Sequence, residues 1–199
     1  MKFVQIEYIV KKGAFARSAE WTCILNDIKK AIKAVVWPPK STSFNINPKR
    51  QGNGVVPIKE AFLLSLGKSG WNIKERGNAL RLDAIKELSK NKLFGVEWET
   101  GNISSSHRAI NRLLLGNLKH GLIGGVLIVP SRDLYKFLTD RIGNFAELIP
   151  YLELWKSMAG WSNGVLAIIV IEHDGVDPSA PLIKKGTDGN ALFNRNLNK

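Results

Sequence analysis

Two acidic residues, Glu97 and Glu99, stand one residue apart in the segment LFGVEWET at positions 93–100. In an extended strand, alternate side chains point to the same face, so both carboxylates would project close together from one face. Like charges at short range repel, and one carboxyl group tends to keep a proton unless a cation lies between the two. Carboxylate oxygens are the ligands that Mg²⁺ prefers, so the pair is a candidate metal site.

The acidic pair alone does not decide between a metal site and a solvated strand face, and a solvated face is the commoner outcome. Two features favour the metal site: the pair interrupts a strongly basic chain, and the other face of the same strand is apolar. Further acids could complete a cluster, namely Glu60 in a preceding helix and Asp83 or Glu87 in the stretch before the strand.

The charge balance favours a polyanionic partner. Lys and Arg number 29 against 17 Asp and Glu, which gives a net charge of +12 and a pI of about 9.9. A cationic excess of this size is typical of proteins that contact nucleic-acid phosphates, although a basic protein without such a partner stays an open alternative.

Other catalytic chemistries have little support in the sequence. Cys23 is the only cysteine, which excludes an internal disulfide and a cysteine-rich zinc site. The three histidines lack metal-ligand spacing, and neither a glycine-rich phosphate loop after a strand nor a G-x-S-x-G elbow is present. A serine–histidine–aspartate arrangement stays open, because its members need not be close in sequence.

The N-terminal segment does not have the pattern of a secretory signal. Its short apolar run is broken by Gln5 and Glu7 and is followed by no small-residue cleavage site. The longest apolar runs, GVLIVP and GVLAIIVI, have the length of strands and are too short to cross a bilayer. We therefore expect a soluble, cytoplasmic protein.

The hydrophobic pattern predicts a helical N-terminal third followed by strand, helix, strand, helix and strand. The acidic pair would lie on the first of these strands, with Phe94, Val96 and Trp98 on its opposite face. The predicted strands are residues 93–100, 124–130 and 164–171. The predicted helices are residues 18–36, a second from Pro57 to about 67–70, a third that begins after TGNIS, a fourth from Ser131 to Leu138 and a fifth from Asn144 to about Trp155. This order is typical of an α/β fold with a mixed sheet, and the length suits a single domain over residues 1–199.

Five ordered blocks of the sequence resemble the BamHI family of restriction endonucleases. They are WPPKSTSFNIN, NGVVPIKE, VEWETGNISSSHRAINRLLLG with LKHG, YKFLTDRIGNFAELIPYLEL and PLIKKGTDG, and they cover about residues 37–60, 94–155 and 180–189. The resemblance implies a type II restriction endonuclease whose core is a mixed sheet flanked by helices. It further implies an Mg²⁺-dependent homodimer that cuts double-stranded DNA at GGATCC and leaves 5′ overhangs. A methyltransferase that protects the same site would be expected in the host. The C-terminus is shorter than is usual in the family, which points to a compact member with the same target.

The resemblance also assigns the catalytic groups. The carboxylates that match the family's metal ligands are Glu60, Asp83 and Glu97. The backbone carbonyl of Trp98 would complete the metal shell, and Glu99 matches the residue that orients or deprotonates the attacking water. Glu87 is the alternative to Asp83, because the segment between Asp83 and Glu97 is shorter than in the family.

The resemblance places DNA recognition just past the catalytic strand. The matching residues are Asn102, Ser104, Arg108, Asp140 and Arg141 for the major groove, and Asp188 and Gly189 for the minor groove. Arginine can pair with guanine, asparagine with adenine, and aspartate with the cytosine amino group. The alternatives are structural: Asn102 as a turn former, Ser104 as a helix cap, Asp140 and Arg141 as surface charges, and T-D-G as a simple turn.

Lys119, His120 and Glu153 match the family's dimer interface, where the two cations would pair with the acid across the two-fold axis. Lys156 departs from the pattern, because an acid is expected at that position. Without the resemblance, Lys119 and His120 would be interpreted as a solvated helix C-terminus, where cations are favoured.

Two other functions remain open: a monomeric nicking or repair nuclease, and a sequence-specific DNA-binding protein without cleavage. The retained acids argue against the second of these.

Overall fold

The computed structural model of the chain describes residues 1–73, 81–99, 101–139 and 142–186. The strands are β1 (Lys2–Lys12), β2 (Asn45–Ile46), β3 (Asn72–Ile73), β4 (Ala84–Glu87), β5 (Leu93–Trp98), β6 (Leu122–Pro130), β7 (Gly164–Glu172) and β8 (Gly175–Val176). The helices are α1 (Ala19–Ala34), α2 (Val56–Lys68), α3 (Ile103–His120), α4 (Arg132–Tyr135), α5 (Phe145–Leu148) and α6 (Leu152–Met158).

The main sheet has six strands in the order β1-β7-β6-β5-β4-β3. Strands β5, β6 and β7 are parallel, while β1, β4 and β3 run antiparallel to their neighbours, so the sheet is mixed. Strands β6 and β7 lie at the centre and are buried on both faces, which explains why their sequences are continuous apolar runs. The predicted α/β fold with a mixed sheet is confirmed.

Alternating residues of the central strands supply two separate hydrophobic cores, one on each face of the sheet. Val126 and Ile128 pack with α1 and α2, whereas Leu127 and Val129 pack with α3, α5 and α6. The helices thus cover both faces, and α2 and α3 approach the β4–β5 end of the sheet from opposite sides.

The predicted helical character of the whole N-terminal third is wrong, because the chain begins with the 11-residue strand β1. This strand pairs with β7 through two irregularities, between Phe3 and Gln5 and between Tyr8 and Val10. Each irregularity shifts the side-chain alternation by one residue, so no regular period of two survives in the sequence.

Most of the predicted helices form, but two are shorter than expected. Ser18 and Ser131 cap α1 and α4 as their positions suggest, accepting hydrogen bonds from backbone N–H groups. Helix α4 ends at Tyr135 rather than Leu138. The helix predicted from Asn144 to about Trp155 is divided into α5, a 3₁₀ turn containing Pro150, and α6, since proline cannot donate the backbone hydrogen bond that a continuous helix needs. Among the described residues, no helix has the length and apolar character needed to cross a bilayer.

Candidate active site

Asp83 and Glu97 lie side by side at one edge of the sheet. Glu97 is the penultimate residue of β5, and Asp83 immediately precedes β4, which runs antiparallel to β5. The β4–β5 register pairs Ala84 with Val96, so one further step places Asp83 opposite Glu97. Asp83 Oδ2 also accepts a hydrogen bond of 2.9 Å from the backbone N–H of Trp98. Both acids are buried, with 3% and 4% of their surfaces exposed.

Among the described residues, each of these buried acids forms one ion pair with a basic side chain. Lys59 of α2 places its Nζ atom 2.8 Å from Asp83 Oδ2, and Arg112 of α3 places its Nε atom 2.9 Å from Glu97 Oε1. The Arg112–Glu97 pair is close but not aligned as a hydrogen bond, so Glu97 Oε1 is buried without a hydrogen-bond donor. Two cations therefore approach the acids from the helices on opposite faces of the sheet.

The Glu97 carboxyl group has a strongly perturbed affinity for protons. Burial raises the pKa of Glu97 to about 8, with further contributions from the charge of Asp83 and from a hydrogen bond between the two side chains. Arg112 and Lys59 lower the pKa, but by less than burial and Asp83 raise it. In the absence of metal, Glu97 therefore keeps its proton at neutral pH, beside the carboxyl group of Asp83.

The raised pKa predicts a pH dependence of folding in the metal-free protein. Between pH 4.5 and about 8 the folded state keeps a proton on Glu97 that the unfolded state has lost. The free energy of unfolding should therefore fall as the pH rises through this window, by up to about 1.4 kcal/mol per pH unit. Denaturant titrations with a chelator present, compared with the Glu97→Gln variant, should show this slope in the wild type and lose it in the variant. Equal slopes would contradict the burial of an ionisable group at position 97.

The Asp83–Glu97 pair fits a divalent cation. Its donors are hard carboxylate oxygens, one oxygen has no hydrogen-bond donor, and a cation would take the place of the proton on Glu97. Within the described part of the chain, no group of three or more His, Cys, Asp or Glu side chains is arranged to hold a metal. Mg²⁺ is commonly bound through one or two carboxylates together with water and substrate phosphate, so two acids are a sufficient protein contribution.

The other acids predicted from the sequence stand apart from this pair. Glu60 is exposed on α2, and the structure does not bring it into a group with the two buried acids. Glu99 is half-buried just after β5, where its Oε1 atom accepts a hydrogen bond of 2.6 Å from the Gly101 backbone N–H. Glu87 lies at the far end of β4, opposite Leu93, and accepts a hydrogen bond from Asn72. Asp83, not Glu87, is therefore the acid beside Glu97.

The positions predicted to read DNA open helix α3, directly after the acidic strand. Asn102 is the N-cap of α3, and its side-chain oxygen accepts a hydrogen bond of 3.2 Å from the Ser105 backbone N–H. Arg108 donates to Ser105 Oγ at 2.6 Å, and Asn102, Ser104 and Arg108 are all exposed. The structure thus brings three of the predicted residues onto one surface. Asp140, Arg141, Asp188 and Gly189 lie outside the described residues.

The predicted interface residues belong to an exposed, partly apolar surface formed by the C-terminal half of α3 and the α5–α6 segment, which we call the α3–α6 face. Helices α3 and α6 are in contact through the rings of His107 and Trp155, whose centroids lie 5.3 Å apart. Lys119, His120 and Glu153 are exposed here. The large apolar side chains exposed on the same elements are Leu115, Leu118, Ile149, Tyr151, Leu154 and Met158.

Lys156, which departs from the family pattern, has a partner within the chain. Its Nζ atom lies 2.7 Å from Glu7 Oε1 of β1. The side chain therefore joins α6 to the edge strand β1.

The sequence analysis missed Lys59 and Arg112, the two cations at the buried acids. Lys59 directly precedes Glu60 in the segment VPIKE, and Arg112 lies one helical turn after Arg108. Neither position is distinguishable by residue type or spacing from the many other cations of this basic chain. Their role follows only from tertiary contacts.

The sequence is similar to that of known restriction enzymes over most of its length. The family model of the restriction endonuclease BamHI matches residues 1–190. The type II restriction enzyme OkrAI of Oceanobacter kriegii is 48% identical over 198 residues, covering 96% of this chain and 100% of that protein. The type II restriction enzyme BamHI of Bacillus amyloliquefaciens is 39% identical over 178 residues, covering 82% of this chain and 80% of that protein.

A solved structure has a similar fold. The crystal structure of the restriction endonuclease BglII in complex with a DNA 16-mer superimposes with a TM-score of 0.52 and 12% sequence identity, covering 92% of this chain and 88% of that chain. At this level of identity the likeness establishes the α/β nuclease core and nothing finer.

Proposed function

This chain belongs to the BamHI family of type II restriction endonucleases, and we propose that it is an Mg²⁺-dependent homodimer that cuts double-stranded DNA at GGATCC, leaving 5′ overhangs. Enzymes of this class are site-specific deoxyribonucleases that act on double-stranded DNA and generally need a divalent metal. The observation that carries the proposal is the buried Asp83–Glu97 pair, in which Glu97 Oε1 lacks a hydrogen-bond donor. We further propose that residues 1–199 form one nuclease domain.

Hydrolysis of a phosphodiester builds negative charge on the attacking and leaving oxygens, and a divalent cation bound at the site would stabilise that charge. We assign Asp83, Glu97 and the Trp98 carbonyl as its ligands, and we propose that Glu60, which lies outside the buried pair in the metal-free protein, joins them when the cation and DNA are bound. Glu99 is held by the Gly101 N–H at the turn that leaves β5, and we assign it the orientation of the attacking water. Lys and Arg side chains around the acids would hold the DNA backbone against them.

We propose that recognition occurs at the start of α3, because only residues 99–102 separate this helix from the acidic strand β5. Asn102, Ser104 and Arg108 are exposed there and can reach base edges from the N-terminus of a helix lying in the major groove. Asp140 and Arg141 would supply the second major-groove contact, and Asp188 and Gly189 a minor-groove contact. The GGATCC target is supported by the match of these positions to the family and by the identity with BamHI and OkrAI.

The homodimer is supported by the α3–α6 face. Leu118 and Met158 are 75% and 68% exposed, which is unusual for apolar side chains grouped on neighbouring elements. Lys119 and His120 would pair with Glu153 of a second copy across a two-fold axis. A methyltransferase with the same specificity is the expected partner in the host, since an unprotected genome would be cut.

Arg141 offers a test of base recognition. We expect Arg141→Ala to weaken binding to GGATCC duplexes by about 1–3 kcal/mol and to leave binding to random DNA nearly unchanged, because a side chain that pairs with guanine contributes only at the cognate sequence. Fluorescence anisotropy on the two duplexes over a range of salt concentrations would measure both losses. Equal losses on the two DNAs would instead make Arg141 a phosphate contact.

Incubation of the purified protein with Mg²⁺ and a plasmid carrying one GGATCC site tests the proposed function directly. We expect a single linear product whose sequenced ends carry 5′ overhangs at that site, and no cleavage of a matched plasmid with one altered base pair. Nicked circles would support a monomeric nicking nuclease instead, and intact plasmid that is nevertheless bound would support a DNA-binding protein without cleavage.

A further inference from the structure

Lys59 makes the closest polar contact to the buried acids from outside their own strands. Its Nζ atom lies 2.8 Å from Asp83 Oδ2, the oxygen that also accepts the Trp98 N–H. The Lys59 side chain is 24% exposed, whereas that of Asp83 is 4% exposed, so the ion pair joins a partly exposed cation to a buried acid. The ammonium group occupies one of the positions beside Asp83 Oδ2 that a metal ion bound to this oxygen would need.

Contact of both an ammonium group and a divalent cation with the Asp83 carboxylate is unfavourable, because the two positive charges repel each other. A cation ligated by Asp83 would lie within a few ångströms of Lys59, in a buried site where repulsion is only weakly screened. Metal binding at Asp83 therefore requires Lys59 to move or raises the energy of the bound state. The lysine side chain can move readily, since a flexible four-carbon stem carries a single compact charge.

Arg112 is less suited to such a role. Its Nε atom is close to Glu97 Oε1 without forming an aligned hydrogen bond, and its side chain is 38% exposed. Glu97 Oε1, although buried, thus has no hydrogen bond that an incoming cation would have to displace. Control of metal entry falls on the better-formed Lys59–Asp83 pair.

We propose that Lys59 is a positioning residue that occupies Asp83 in the DNA-free enzyme and moves to a backbone phosphate when DNA binds, which opens Asp83 to the divalent cation. The inference rests on the proposed function and adds to it a coupling between DNA binding and metal loading. The phosphate offers Lys59 an equivalent anionic partner, so the transfer keeps the ammonium neutralised. The enzyme then acquires its full metal site only on DNA.

The test is the affinity for Ca²⁺, used as the probe cation and measured by isothermal titration calorimetry on the full chain with and without a GGATCC duplex. Lys59→Met keeps the methylene stem and removes the charge. We expect this variant to bind Ca²⁺ about tenfold more tightly than the wild type without DNA, within the range that typical couplings span. The increase in Ca²⁺ affinity caused by DNA should shrink by the same factor, because the variant binds Ca²⁺ more tightly without DNA while its affinity on DNA, where Lys59 has left Asp83, stays the same.

Two further variants separate this role from a structural one. Lys59→Arg keeps the charge and should keep the wild-type coupling, while Lys68→Met removes an exposed charge from the same helix and should change nothing. Unchanged or weaker Ca²⁺ binding in folded Lys59→Met would overturn the inference and leave a purely structural ion pair. The DNA-free Ca²⁺ affinities test Lys59 independently of cleavage. A wild-type protein that fails to cut DNA would refute the proposed function, but the comparison of Ca²⁺ affinities between wild type and Lys59→Met would still test the role of Lys59.

Discussion

We expect the Glu97→Gln variant to lose cleavage by roughly a thousandfold or more, while sequence-specific DNA binding survives or tightens. Glutamine matches the protonated form in which the buried Glu97 exists without metal, so the fold should tolerate it. The amide cannot become a negatively charged metal ligand, and losing several kcal/mol of transition-state stabilisation corresponds to this factor. Removing a negative charge that faces DNA phosphates also lowers repulsion, which is why binding should not suffer. Single-turnover cleavage and anisotropy on the same duplex would measure the two effects separately.

Glu87→Gln is the matched control for this variant. Glu87 lies at the opposite end of β4 and contacts Asn72, so the same substitution there should leave cleavage within about twofold of the wild type. Near-normal cleavage by Glu97→Gln would remove Glu97 from the catalytic centre. Loss of both cleavage and binding in a folded Glu97→Gln protein would make the position structural.

The second large effect is expected at the α3–α6 face, where Leu118→Asp should convert the dimer into monomers at micromolar concentration. Leu118 is 75% exposed in the single chain, and a two-fold interface would bury it in both copies. Losing two buried leucine side chains and burying two carboxylates should raise the dimer dissociation constant by at least about a hundredfold. Sedimentation velocity would follow the mass, and double-strand cleavage should fall in parallel while binding of a half-site is retained.

Leu64→Asp controls for the substitution itself. Leu64 is 64% exposed on α2, away from the α3–α6 face, so the same change there should leave a dimer. A Leu118→Asp protein that stays dimeric would move the interface elsewhere on the molecule. Monomeric wild-type protein that still makes double-strand breaks would contradict the dimer model altogether.

Sequence alone predicted the elements whose pattern of apolar residues follows directly from how each face of the element is buried. Strands β6 and β7 are buried on both faces and are therefore continuous apolar runs, and α1 has a serine cap and a regular apolar face. Strand β1 was missed because its pairing irregularities disrupt the alternation. The apolar pattern after Asn144 continues past Pro150 and therefore predicted one long helix, whereas the proline divides it into two.

The candidate site was only partly predictable for a different reason. Glu97 could be singled out because an acid on an otherwise apolar strand of a basic chain is conspicuous. Its raised pKa, however, results first from burial by tertiary packing and then from the charge of Asp83, 14 residues earlier in the chain. The resemblance to the family supplied Asp83, and the antiparallel register of β4 and β5 shows it beside Glu97. Lys59 and Arg112 come from helices on opposite faces of the sheet, and no local pattern relates them to the acids.

The most direct measurement of the central claim is a crystal structure of the enzyme with a GGATCC duplex and Mn²⁺, with anomalous diffraction used to locate the metal. We expect an anomalous peak about 2.0–2.2 Å from carboxylate oxygens of both Asp83 and Glu97 and in contact with the scissile phosphate, as for a small divalent cation bound by hard oxygen ligands. A DNA complex in which Mn²⁺ lies away from these two acids while the Lys59–Asp83 ion pair is intact would show that the pair is not the metal site.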